Sequence, residues 1–269
     1  MCDKRILICI SGGGAIQLES AVGILAALDD AGVFSGASLE YRACSGGAPV
    51  AALHASGVTG AAIAQLIRKS PMEKLIHLPF FGRYFDVSGI LELLKKHMPT
   101  EPLQNCRVAV TRLRDMKSCM ADATPVTVVT SLSIPGVFRP QMIGKEPYVD
   151  GGVKNLIPTC PIPELAGYDH IYLLLSPESK ALHAENSAGF LFSTELKSLA
   201  ALLDREITQI YEDGWDKIKN VTVIRPDIPK EAEGRSLIAE LLEWSLDNCM
   251  IDHANHFTAQ LLKEKEGKA

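Results

Sequence analysis

The 269-residue sequence predicts an α/β fold, and three observations carry that prediction. Strand-like segments at 5–10, 39–43, 106–111, 147–150, 170–175 and 220–225 alternate with helical stretches. Arg5–Ile10 is a continuous apolar run of the kind buried on both faces of a sheet. A glycine run, Ser11-Gly12-Gly13-Gly14, ends it, and Leu18, Ala21, Val22, Leu25 and Leu28 follow at helical spacing.

Bare glycine backbone at a helix N-terminus offers unpaired N–H donors and the positive end of the helix dipole, so it suits an anion. A P-loop needs Lys-Ser or Lys-Thr after its second glycine, and a dinucleotide fingerprint needs a third glycine where Gln17 stands. An oxyanion hole requires only the N–H groups of Gly12, Gly13 and Gly14.

Leu39–Ala43 alternates like a strand, and Ala48–Leu53 reads as a helix with Pro49 tolerated in its first turn. Between them, Ala43-Cys44-Ser45-Gly46-Gly47 has the form of a nucleophile elbow, with Ala43 in place of the first glycine. Small flanks are needed there, since a larger side chain collides with the following helix. Further on, Tyr148-Val149-Asp150-Gly151-Gly152 sets a carboxylate at the end of a short strand. Taken singly, each segment also reads as an ordinary turn.

Taken together, the three segments resemble the patatin-like phospholipase family. Ser131–Pro140 resembles that family's Ala-Ser-x-x-x-Pro-x-x-Phe-x-Pro stretch, and Asp150 through Asn155 and Pro158 its Asp-Gly-Gly-x-x-x-Asn-x-Pro stretch. Gly23–Leu28 sits at the family's usual place in the first helix. The resemblance covers roughly 5–158 and thins to the strand-like 220–226. It implies a three-layer α/β/α domain spanning 1–269, with a mainly parallel sheet. It also implies a serine acyl hydrolase acting on lipid carboxyl esters without cofactor or metal. Ser45 is then the nucleophile, Asp150 the general base, and Gly12, Gly13 and Gly14 the oxyanion loop. Ala43, Cys44, Gly46 and Gly47 form the elbow, and Gly151, Gly152 and Asn155 support the base. Ile16 and Gln17 stand where many members carry a basic residue and a glycine.

Rival readings remain at this point. A Ser-Asp-His esterase would draw a histidine from between 170 and 256. A Cys44 nucleophile lacks a motif-placed histidine. A weakly active or inactive lipid-binding protein fits the Ile16 and Gln17 departures. Cys249, His253 and His256 share a helical face but lack a fourth metal ligand. Pro125–Thr130 is strand-like by propensity and helical by resemblance; the resemblance is preferred. Residues 190–219 and 230–266 read as long helices, with Leu237, Leu241 and Trp244 on one face of the second.

Composition adds bounds. Apolar residues make up 47%, enough for a substantial core, and the net charge of −5 argues against nucleic acid as a partner. No apolar run approaches the ~20 residues needed to span a bilayer. The N-terminus does not read as a signal peptide, and the seven scattered cysteines read as reduced thiols. The resulting expectation is a cytoplasmic protein with a lipid or acyl-ester substrate. Peripheral membrane contact and export as an effector are both compatible with it. The aromatic stretch 75–85, with Lys69, Lys74 and Arg83, reads either as a mobile interfacial cap or as an apolar connector folded onto the core, the latter being preferred.

Overall fold

The computed structural model describes residues 4–70, 75–76, 84–178, 193–230 and 249–267. Lys4–Ile10 forms β1, paired in parallel with β2 (Ala37–Ala43) on one side and β7 (His170–Leu174) on the other. The eight-stranded sheet runs β5-β6-β3-β2-β1-β7-β8, with β4 paired to β3. Here β3 is Leu103–Arg112, β4 Lys117–Ala123, β5 Gln141–Ile143, β6 Glu146–Asp150 and β8 Val221–Ile224. The centre is parallel; β4, β5 and β6 pair antiparallel.

The pleat of β1 separates two cores. Ile6, Ile8 and Ile10 face α1 (Gly14–Asp30), α2 (Gly47–Ala55) and α3 (Gly60–Arg68). Leu7 and Cys9 face Leu203, Ile207 and Ile210 of α6 (Ser193–Glu212). Successive strand residues point to opposite faces, so an all-apolar strand is what a sheet covered on both sides requires. The expected three-layer α/β/α arrangement with a mainly parallel sheet is therefore present.

Helix α1 is buried almost all round, because the sheet lies beneath it and α7 (Cys249–Glu266) lies above. Gly23 permits that packing: a Cβ there would sit 2.2 Å from the Ile251 carbonyl oxygen. A buried polar chain ties α1, β2 and α2 together. The Tyr41 hydroxyl lies 2.6 Å from His54 Nδ1, His54 Nε2 lies 3.1 Å from Asp29, and Asp29 accepts the Gly60 N–H at 2.8 Å.

Pro125–Ser131 is a helix, α5, as the resemblance implied and against propensity. Thr124 and Thr127 form a reciprocal capping box, and Pro125 occupies the first turn. Strands β4 and β5 and the helices α3 and α4 (Ser88–His97) were not anticipated. The expected helix at 190–219 ends at Glu212, followed by a short 3-10 turn at Trp215–Lys217. Leu237, Leu241 and Trp244 lie outside the described residues.

Ala normally stabilises a helix relative to Gly by about 0.5–1 kcal/mol. At position 23 the sign should reverse: urea unfolding of Gly23→Ala is expected to show a loss of about 1–3 kcal/mol from overpacking against α7.

Candidate active site

Strand β3 offers one hydrogen-bonding edge to two strands. β2 pairs with Cys106–Val108 and ends with Ala43 opposite Val108. β6 arrives from the other direction and ends with Asp150 opposite Val110. Ser45, two residues beyond Ala43, thus reaches the level of Asp150. Its Oγ donates to Asp150 Oδ2 at 2.8 Å.

Ser45 sits at φ 46°, the left-handed region that a non-glycine residue rarely adopts and that an elbow demands. The Ser131 hydroxyl accepts its backbone N–H at 2.9 Å. The flanking glycines are required by close approach. A Cβ on Gly46 would lie 2.0 Å from the Gly14 carbonyl oxygen, and one on Gly47 2.6 Å from that of Ser11. The Ala43 methyl is accommodated in the core.

Asp150 is 1% exposed. Its Oδ1 accepts the Gly152 N–H at 2.7 Å, and its own N–H is given to the Ser133 carbonyl. Gly151 packs onto β3, where a Cβ would meet the Ala109 carbonyl oxygen at 2.2 Å. Burial pushes the carboxyl up to about 7, while hydrogen bonds from Gly152, Ser45 and Cys44 pull the other way. Cys44 lies beneath, its Sγ 3.9 Å from Asp150 Oδ1. Burial, reinforced by the Asp150 charge, pushes that thiol up and favours its protonated form.

The three glycines of the first loop are not equivalent. The Gly12 N–H is donated to the Leu156 carbonyl at 2.7 Å, so it is spent on structure. Gly13, at φ 145°, caps α1 without any side-chain partner, and Gly14 follows at φ 67°. Both line a small cavity with Ser45, Asp150, Ile134 and Leu156. A Cβ on Gly13 would meet Ser176 Oγ at 2.3 Å. The uncapped N-terminus of a 17-residue helix therefore ends beside the serine. Ile16, 3% exposed, belongs to the core, and Gln17 donates its amide to the Leu174 carbonyl at 3.0 Å.

One residue that sequence reading missed holds this arrangement from behind. Glu206 on α6 accepts the N–H groups of Leu156 and Ile157 at 3.0 and 3.1 Å, both through Oε2. Leu156 then carries Gly12 and covers Gly152. Asn155 contributes through its backbone, donating to the Gly151 carbonyl at 2.9 Å.

A second cavity, about 80 Å³, opens from Ser45 and Gly14. Its walls are almost wholly apolar, from Leu18 and Leu53 to Ile63, Ile90, Leu94 and Phe138. Leu75 and Ile76 also line it, so this end of the aromatic stretch folds onto the core. Lys74, Arg83 and residues 77–83 generally lie outside the described residues.

Among the described histidines, His54 meets Tyr41 and Asp29, His170 meets Thr222, His253 meets Asp227 and His256 meets Gln260. None contacts Ser45 or Asp150. His183 lies outside the described residues.

A sequence profile of the patatin-like phospholipases matches residues 8–161. The chain belongs to the patatin-like phospholipase family. That places it with lipid acyl hydrolases. Two solved structures resemble this patatin-like chain at 16% identity. VipD from Legionella pneumophila gives a TM-score of 0.44, covering 97% of this chain and 67% of VipD. The ExoU–SpcU complex from the type III secretion system of Pseudomonas aeruginosa gives 0.41, covering 97% of this chain and 51% of the matched one. A comparison with curated protein sequences finds no match.

Substitutions at two positions probe this patatin-like site away from Ser45 and Asp150. Ile16→Arg would bury an unpaired charge in the core, and a melting curve should show a loss of several kcal/mol. Glu206→Ala should leave two loop N–H groups without an acceptor and lower kcat on a soluble ester more than it raises KM. Glu206→Gln, which keeps one acceptor oxygen, should restore most of the rate.

Proposed function

We propose that this chain hydrolyses carboxyl esters of acyl lipids through a Ser45–Asp150 dyad, with residues 1–269 acting as one unit. The observation that carries the reading is the 2.8 Å Ser45–Asp150 hydrogen bond at the end of an apolar cavity. The elbow and the glycine loop around it support the same reading.

A serine hydroxyl is a weak nucleophile and needs a hydrogen-bonded base. An ordinary carboxylate is a poor base at neutral pH, but one desolvated to about 7 is matched to the task. The acyl chain lies in the apolar cavity, and its carbonyl carbon faces Ser45 Oγ. Attack transfers the serine proton to Asp150, and the oxyanion forms opposite the Gly13 and Gly14 N–H groups. Asp150 then protonates the departing alcohol, leaving the acyl-enzyme. Water, deprotonated by Asp150, attacks the acyl carbonyl, and the proton returns to Ser45 as the fatty acid leaves. The helix dipole of α1 favours negative charge at the same point. Among the described residues, no helix is long and apolar enough to cross a membrane. The reading places the protein in the cytoplasm, in peripheral contact with the lipid it cleaves.

Three outcomes test the dyad. Ser45→Ala should abolish ester hydrolysis and fluorophosphonate labelling with a nearly unchanged melting temperature; full activity in Ser45→Ala would sink the assignment. Wild-type kcat/KM should rise as pH climbs through about 7, where Asp150 loses its proton. Asp150→Asn should lower kcat by at least the ~10²–10⁴-fold expected of a general base while stabilising the fold. The sign follows from a carboxyl raised from 3.8 to about 7 in the folded state. Its protonated form favours folding, fully below about 3.8, and that contribution is lost as pH rises through about 7. Asparagine removes the loss, on the order of 4 kcal/mol above pH 8. The gap in melting temperature between variant and wild type should therefore be smaller at pH 5 than at pH 8.

A further inference from the structure

Two hairpins continue past the active-site level on the same edge of the sheet. From Val110, opposite Asp150, β3 runs on to Arg112, opposite Tyr148, and turns through Leu113–Met116 into β4. β6 extends alongside, back to Glu146, and turns through Gly144 and Lys145 into β5. At about 3.3 Å per residue, both turns stand roughly 10 Å or more beyond the carboxylate.

These tips concentrate exposed apolar side chains. Five large hydrophobic residues are exposed among the described residues, and three of them are here: Leu113 at 39%, Met116 at 40% and Met142 at 54%. Met116 adopts φ 53°, the only described non-glycine residue besides Ser45 with positive φ. Glycine or asparagine is the ordinary occupant of such a turn position. A strained, solvent-facing methionine works against both backbone and solubility, so neither local folding nor packing accounts for it.

Charge is biased in the same place. Residues 112–117 and 139–146 hold five basic residues against two acidic ones, on a chain of net charge −5. Arg112 and Arg114 pair with Asp115 and Glu146. Lys117, Arg139 and Lys145 are exposed and have no ion-pair partner among the described residues. Apolar tips flanked by unpaired cations match the acyl–headgroup boundary of an anionic bilayer.

We propose that the β3–β4 and β5–β6 hairpins dock this chain on anionic phospholipid membranes, with Leu113, Met116 and Met142 inserted and Lys117, Arg139 and Lys145 against the headgroups. The proposal rests on the lipid-hydrolase reading, because it sets the Ser45–Asp150 edge toward the surface that holds the substrate.

Co-sedimentation of Ser45→Ala protein with phosphatidylcholine vesicles, with and without phosphatidylserine, tests docking without turnover. Binding should require phosphatidylserine and fall as salt rises. Leu113→Ser/Met116→Gly/Met142→Ser should weaken it about tenfold or more. Met116→Gly relieves the turn, so an unchanged melting temperature separates lost docking from lost folding. Lys117→Glu/Arg139→Glu/Lys145→Glu should remove the preference for phosphatidylserine. In a Ser45 background both triple variants should cleave a soluble short-chain ester at the wild-type rate and vesicle lipid far more slowly. Equal vesicle binding by wild type and both variants overturns the proposal, as does self-association through these hairpins with no vesicle binding. Vesicle binding with no ester cleavage by wild type would overturn the hydrolase reading and support docking alone.

Discussion

The site depends on how β3 shares one edge between two strands. β2 takes Cys106–Val108 going outward, and β6 takes Val110–Arg112 coming inward. Where they meet, backbone register fixes the approach of Ser45 to Asp150. A one-residue slip of β6 would turn Asp150 to the opposite face, since side chains alternate with period two. Gly151 guards that register, because only a residue without Cβ can lie this close to the Ala109 carbonyl. The dyad distance is thus a property of the sheet, and the side chains add little freedom to it.

The same meeting point lies at the buried end of both strands, and burial is what suits the carboxyl to the general-base role proposed for it. Ordinary aspartate would ionise far below neutral pH and hold its proton affinity too low to draw on a hydroxyl. Buried, with hydrogen bonds from Gly152, Ser45 and Cys44 in place of water, Asp150 moves to about 7. Cys44 contributes as a poor hydrogen-bond donor that fills space. A stronger donor there would stabilise the carboxylate and lower its basicity. The folded state bears the cost of that desolvation, which ties the chemistry to stability.

Much of this was legible because glycine records close backbone approach. Gly46 meets the Gly14 carbonyl, Gly47 that of Ser11, and Gly151 that of Ala109, so each is written into the sequence as a missing side chain. Three features were not legible, each for a physical reason. Gly12 was grouped with Gly13 and Gly14, although its N–H is taken by Leu156; which N–H is spent depends on a loop far along the chain. Glu206 closes the charged run Asp204-Arg205-Glu206 on an amphipathic helix, where an acid normally signals a solvated face. β4 and β5 lie outside the parallel centre, and their half-buried residues follow no clean alternation. Pro125–Ser131 was legible only through the family resemblance: its propensity is strand-like, and the reciprocal Thr124–Thr127 capping box that starts the helix is seen only in the structure.

The family profile ends at residue 161, yet the hydrogen bonds that hold the site do not. Glu206 accepts the Leu156 N–H, the Leu156 carbonyl accepts the Gly12 N–H, and α1 starts two residues further on; α7 packs on α1 from the far side. The two portions face different constraints. A residue that must lack a Cβ, or must carry the reacting oxygen, admits one or two side chains. A residue that must supply an acceptor to two amides can be met by several side chains from several places. The recognisable half of the chain is therefore the half where backbone atoms touch, and the half that holds it in position is written in a looser code.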